Sequence, residues 1–104
     1  MDLISLWLQI AGEVMSARIT VNLTAGGEFE IWLNEEGREL LVRELQRLSE
    51  RNDHFHLGAD DSAEVVVSSI AYEPDHKILE YGKVLFRTDA WDRQYYPHVV
   101  AGSP

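Results

Sequence analysis

The residues best placed to do chemistry are His54 and His56, two positions apart in Asp53-His54-Phe55-His56-Leu57. On an extended strand that spacing puts both imidazoles on one face and Phe55 and Leu57 on the other. Two imidazoles so placed can share a metal ion, since zinc and its neighbours take neutral histidine nitrogen and need three or four converging donors. The third donor would have to come from Asp53, Asp60, Asp61, His76 or His98, none of which stands at a diagnostic spacing. The plainer reading is a pair of sheet-face histidines that hydrogen-bond to neighbours or meet a partner.

Other chemistries lack their residues. There is no cysteine, hence no disulfide framework and no thiolate. The nucleophile elbow, the phosphate loop, the dinucleotide fingerprint and the paired-histidine zinc helix are all missing, so neither catalysis nor a cofactor is expected. Asp60 and Asp61 lie in a polar loop, where nothing raises a carboxyl pKa toward a catalytic value. That loop also lacks the spaced ligands, central glycine and terminal glutamate of a calcium loop. Ser68 and Ser69 fall inside an expected strand with no base at a telling distance.

The strand carrying the histidines needs a helix before it and strands beside it. Residues 34–51 read as that helix. Asn34 is a good N-cap, and Glu35 and Glu36 suit the positive end of the helix dipole. Leu41, Leu45 and Leu48, flanked by Leu40 and Val42, form the buried stripe. Gly37 lies one turn earlier on the same side, where a missing side chain admits a strand. Glu36, Glu39, Arg43, Gln46, Arg47 and Glu50 take the solvated face. Glu39 and Arg43 stand in the favourable i, i+4 order, worth about 0.3–0.5 kcal/mol. The helix is expected to end at Asn52-Asp53.

Ahead of it, Ala17, Ile19, Val21 and Leu23 alternate with Arg18, Thr20, Asn22 and Thr24, the pattern of a half-buried antiparallel strand. Ala25-Gly26-Gly27 suits a tight hairpin. The return strand, 28–33, turns Phe29, Ile31 and Leu33 inward and leaves Trp32 outward under some covering element. After the histidines, 64–72 reads as a strand, Pro74-Asp75-His76 as a turn and 77–87 as a returning strand. Its alternation changes phase at Gly82, a candidate β-bulge. Asp89 is positioned to cap a helical turn over 89–95, with Trp91, Tyr95 and Tyr96 as a lid on the sheet. Residues 101–104 are expected to fray. The result is one α+β domain over 1–104, an antiparallel sheet of five to six strands with one main amphipathic helix packed on it.

At the N-terminus, Ile4, Leu6, Leu8 and Ile10 alternate as in a strand, whereas Leu3, Trp7 and Ile10 also fit helical turns. The strand is preferred, and Met15-Ser16 is a second candidate start that would make residues 1–14 an extension. The apolar run is too short to span a bilayer and has Asp2 where a signal peptide carries a cation. No membrane association is expected, and a cytoplasmic location follows. The net charge of −9 argues against nucleic-acid phosphate as partner and favours a basic one.

The segment 33–57, L-N-x-E-G-R-E-L-L-x-R-E-L-Q-R-L followed by D-H-F-H-L, together with the later I-L-E-Y-G-K-V-L-F-R, resembles the immunity protein 32 family of bacterial polymorphic toxin systems. The likeness spans residues 18–87, and H-x-H-L is its most telling part. It implies a non-enzymatic inhibitor that binds and neutralises a cognate toxin, with a nuclease as the toxin class. An acidic chain can be steered onto a basic nuclease surface and block it. Asp53, His54, His56, Asp60 and Asp61 are the contact residues this reading selects. Two rivals come from other classes: a metal-binding module or enzyme on His54 and His56, and a homodimer joined through Trp32 and Trp91.

Overall fold

The computed structural model describes residues 16–102. The strand expected near the N-terminus, the extension over 1–14, Met15 and the last two residues lie outside the described residues.

Strand β1 (Ile19–Leu23) and strand β2 (Phe29–Leu33) form the expected antiparallel hairpin, with Ile19 opposite Leu33 and Leu23 opposite Phe29. The turn closes because Gly27 adopts a φ of +85°, which L side chains rarely adopt, while its N–H donates to the Thr24 carbonyl at 2.9 Å. Helix α1 (Glu35–Gln46) follows directly. Its cap, Asn34, does two jobs. The Oδ1 atom accepts from Gly37 N–H at 2.7 Å and from Arg18 N–H at 2.8 Å, and Nδ2 donates to the Ser16 carbonyl at 2.8 Å. The helix start is thereby tied to the chain entering β1. Gly37 is the point of closest approach: a Cβ there would stand 2.5 Å from the Arg18 carbonyl oxygen and 3.0 Å from Ile19.

The helix is shorter than expected and rotated. It stops at Gln46 because Asn52 and Ser49 organise a polar turn: Asn52 Nδ2 donates to the Arg47 carbonyl at 3.0 Å and Ser49 Oγ accepts from Asn52 N–H. Its buried positions are Gly37 and Glu44, with Leu40, Leu41 and Leu48 against the core, whereas Leu45 is exposed. Glu39 pairs with Arg38 rather than Arg43.

Six strands form among the described residues, in two three-stranded sheets rather than one, because the strand expected over 77–87 divides into two. The first has the order β2-β1-β5, with β5 at Lys77–Ile78. The second has the order β4-β3-β6, from His54–Gly58 (β3), Val65–Val66 (β4) and Gly82–Leu85 (β6). The β3–β4 pair is parallel, correcting the all-antiparallel expectation. The short loop between them lacks the length of a normal crossover, so only two residues pair. The long strand expected over 64–72 accordingly leaves the sheet early. Its next two N–H groups bridge the sheets, Val67 to the Gly58 carbonyl and Ser68 to that of Ile19. The phase change at Gly82 is a change of sheet, not a bulge: Ile78 pairs with β1, and Gly82 begins the pairing with β3.

Between the sheets and α1 sits a small core of Ile19, Val21, Phe55, Val65 and Val67. Strand β1 is buried on both faces, Thr20 and Asn22 included, which corrects its half-buried reading. On its polar side Thr20 pairs across the ladder with Trp32, which Tyr72 covers in a parallel stack at 4.0 Å with His76 alongside. Helix α2 (Asp89–Tyr95) is capped by Thr88 Oγ1 rather than Asp89 and buries no residue, so its aromatics do not seal the sheet. A further helix, α3 (Pro97–Ala101), ends at Gly102. No helix among the described residues is long and apolar enough to cross a membrane.

Candidate functional site

Strand β3 places the two histidines as its alternation requires. Phe55 is 2 % exposed and anchors the strand in the core, while both imidazoles stand on the outer face. Their rings meet edge to face with centroids 5.0 Å apart.

Each imidazole has its own carboxylate. His54 Nδ1 lies 2.8 Å from Asp53 Oδ1, and the other oxygen of Asp53 lies 2.9 Å from the Arg87 guanidinium. Glu64 takes the N–H of His56 at 2.8 Å and stands 3.3 Å from its Nδ1. Ionised carboxylates only accept, so the contact assigns a proton to Nδ1 of His54. The hydrogen bond from His54 and the charge of Arg87 hold the Asp53 carboxyl below its ordinary 3.8. The backbone N–H of His56, then its side chain, do the same for Glu64 relative to 4.5.

Three members of this cluster were not among the residues the sequence singled out. Glu64 arrives through the parallel register, which sets Val65 against Leu57 and so brings the preceding carboxylate to His56. Arg87 follows β6, where Phe86 N–H donates to the Asp53 carbonyl at 2.7 Å, and its guanidinium then reaches Asp53 while stacking 4.7 Å over Trp91. Glu44 comes from α1 and, with Arg47 at 3.3 Å, lines a cleft of about 320 Å³ with His54, His56 and Glu64. Charge opposite in sign to a protonated histidine was the one available signal for Glu44 and Glu64, and charge opposite to Asp53 was that for Arg87.

Asp60 and Asp61 behave differently from Asp53. Asp60 accepts from the backbone N–H and hydroxyl of Ser62, which lowers its pKa, and shares a neighbouring cleft with His56. Asp61 is exposed on the loop and lines neither cleft. The structure therefore gathers Asp53, His54 and His56, leaves Asp60 at the margin, and sets Asp61 apart.

The metal reading lacks its third ligand. Among the described residues no group of three or more histidine or carboxylate side chains converges to hold an ion. His76 belongs to the other sheet, 3.8 Å from Glu30, and His98 sits on α3 against Tyr96. The surface expected of a dimer through Trp32 is also altered, since Tyr72 covers that ring. No protein-family model, curated protein or solved structure matches the chain.

Proposed function

We propose that this protein is a non-catalytic immunity protein that neutralises a basic bacterial toxin, with the outer face of β3 as its contact surface. One observation supports the reading above others: His54 and His56 are displayed on a strand anchored by buried Phe55, each held by a carboxylate. Such a surface offers fixed acceptors and two aromatic rings to incoming arginine or lysine at little ordering cost. The net charge of −9 would steer a basic partner toward it. Glu44 and Glu64 extend the acidic field beside the rings, and Asp60 and Asp61 form its outer edge. A nuclease is the toxin class that fits best, because its substrate groove must be basic.

The test is binding to the polypeptide encoded next to this chain's gene, by calorimetry at low and high salt. The expected result is a one-to-one complex that weakens with salt. The Asp53→Lys/Glu64→Lys variant should lose most affinity and Asp60→Lys/Asp61→Lys should lose less. Affinity and salt dependence unchanged in both variants would sink the assigned surface.

A second reading rests on a different feature of the same residues. Carboxylates stand on Nδ1 of both rings, as second-shell partners do for histidines that ligate metal through the other nitrogen. Zinc titration of untagged protein beside His54→Ala/His56→Ala decides it: stoichiometric binding abolished in the variant would favour a metal module.

A further inference from the structure

The polar side of β1 faces away from the core residues Ile19 and Val21 and is crossed by the chain between Ser68 and Leu79. Both ends of that segment are pinned: Ser68 N–H donates to the Ile19 carbonyl at 2.7 Å and Leu79 N–H to the Val21 carbonyl at 2.8 Å. Its middle rests on side-chain contacts, Tyr72 and His76 against Trp32. Among the described residues no hydrogen bond joins 69–75 to β1 or β2. The cover is incomplete at the Arg18 end. A pocket of about 370 Å³ opens there, lined by Arg18, Thr20, Ser68, Ile70, Ala71 and Tyr72. That volume suits a small organic ligand and far exceeds the space of one water.

We propose that this pocket binds a small organic carboxylate with an apolar body. Four features select that class. Thr20 is 1 % exposed, and its Oγ1 has no hydrogen-bond partner among the described residues. A buried hydroxyl left unpaired costs stability that a valine would avoid, and a ligand oxygen accepting from it supplies the missing bond. Arg18 stands two residues earlier on the same face, because Asn34 N–H donates to its carbonyl at 3.1 Å and so continues the ladder. Its guanidinium forms no ion pair among the described residues, unlike Arg38, Arg47 and Arg87, and its planar fork matches a carboxylate. Ser68 Oγ already accepts from Ile70 N–H at 3.1 Å, so its own proton is the part left to give. The walls are apolar: Ile70 is 77 % exposed, and Tyr72 is 45 % exposed even with its ring stacked on Trp32. Donors at one end and the lack of any acidic side chain among the lining residues select an anion over a cation. The loosely held 69–75 segment gives way to let a carboxylate oxygen reach Thr20. The inference is independent of the proposed function, since the pocket lies on the sheet that does not carry His54 and His56.

Titration of the isotope-labelled full chain with benzoate at constant ionic strength, followed by amide chemical shifts, tests it. The expected result is saturable movement of the Thr20, Ser68, Ile70 and Ala71 amides, with a Kd of about millimolar order for so small a ligand. Benzamide keeps the ring without the charge, and acetate keeps the charge without the ring. Each should bind about tenfold more weakly than benzoate. Arg18→Gln should weaken benzoate binding about tenfold or more. Thr20→Val should weaken it about tenfold while melting no lower than the wild type, which separates a ligand contact from a structural one. Benzamide or acetate binding as tightly as benzoate would overturn the proposal. So would benzoate binding that is unchanged in either variant, or shifts confined to other surfaces.

Discussion

Strands β1 and β3 carry similar alternations, Ile-Thr-Val-Asn-Leu and His-Phe-His-Leu-Gly, and each is the central strand of a three-stranded sheet. Their polar faces have opposite fates. That of β1 is sealed, and Thr20 Oγ1 and Asn22 Oδ1 are buried without a hydrogen-bond partner among the described residues. That of β3 is open, and its imidazoles are paired with carboxylates. Alternation therefore shows which residues share a face but not whether solvent reaches it. What decides is the surroundings: Trp32, the cross-strand neighbour of Thr20, is itself covered by Tyr72, whereas nothing on α1 lies over the β3 histidines except the rim formed by Glu44 and Arg47. The strand with the open polar face is the one whose polar side chains reach solvent.

Several substitutions would break or sharpen this contrast. Phe55→Ala empties the buried side of β3 and should cost about 3–5 kcal/mol in urea unfolding. A cost below about 1 kcal/mol would mean that β3 is not anchored as described. Gly37→Ala forces a Cβ onto the Arg18 carbonyl, which is backbone and cannot rotate away. The expected loss is about 2 kcal/mol, against the gain that alanine normally brings to a helix interior. Thr20→Val replaces a buried hydroxyl that has no partner with a methyl of similar size. It should be neutral or stabilising by up to about 1 kcal/mol, and a clear destabilisation would show that the hydroxyl is hydrogen-bonded after all.

The smallest effects belong to the open face. His54→Ala and His56→Ala should each change stability by less than about 0.5 kcal/mol at neutral pH while weakening toxin binding, which separates a binding role from a structural one. The carboxylates add a pH signature. The folded-state pKa of Asp53 and of Glu64 is lowered, so the stability they contribute is present above their ordinary values of 3.8 and 4.5. It is lost as pH falls through the lowered folded values. Stability measured across the acid range should therefore fall less steeply in Asp53→Asn than in the wild type, and an unchanged slope would rule out the His54 and Arg87 contacts as its source.

Much of the local structure was legible. Asn34 as cap, Gly37 as a close approach, the Ala25-Gly26-Gly27 turn and the division of β3 into Phe55 and histidine faces all depend on interactions within a few residues or on the period of one strand. The errors came where a second element decided the matter. Leu45 was assigned to the core and Glu44 passed over, because a helical stripe about four residues wide tolerates a rotation that only the docked sheets define. Gly82 marked a real break, but a change of sheet and a bulge leave the same mark on alternation. Of the candidate site, Asp53, His54 and His56 were visible as neighbours in sequence. Glu64 and Arg87 were not, since each reaches the site through strand pairing across many residues.

By itself, then, the sequence determined the identity of the turns, the cap of α1 and the two-sidedness of each strand, because these follow from backbone sterics and short-range periodicity. It also set the acidic net charge of −9. Only the tertiary structure decided that the strands form two sheets, that the polar face of β1 is buried while that of β3 is open, and that Glu44, Glu64 and Arg87 converge on the histidines. Those outcomes depend on which surfaces bury one another, a property of the packed chain that no local stretch of residues carries.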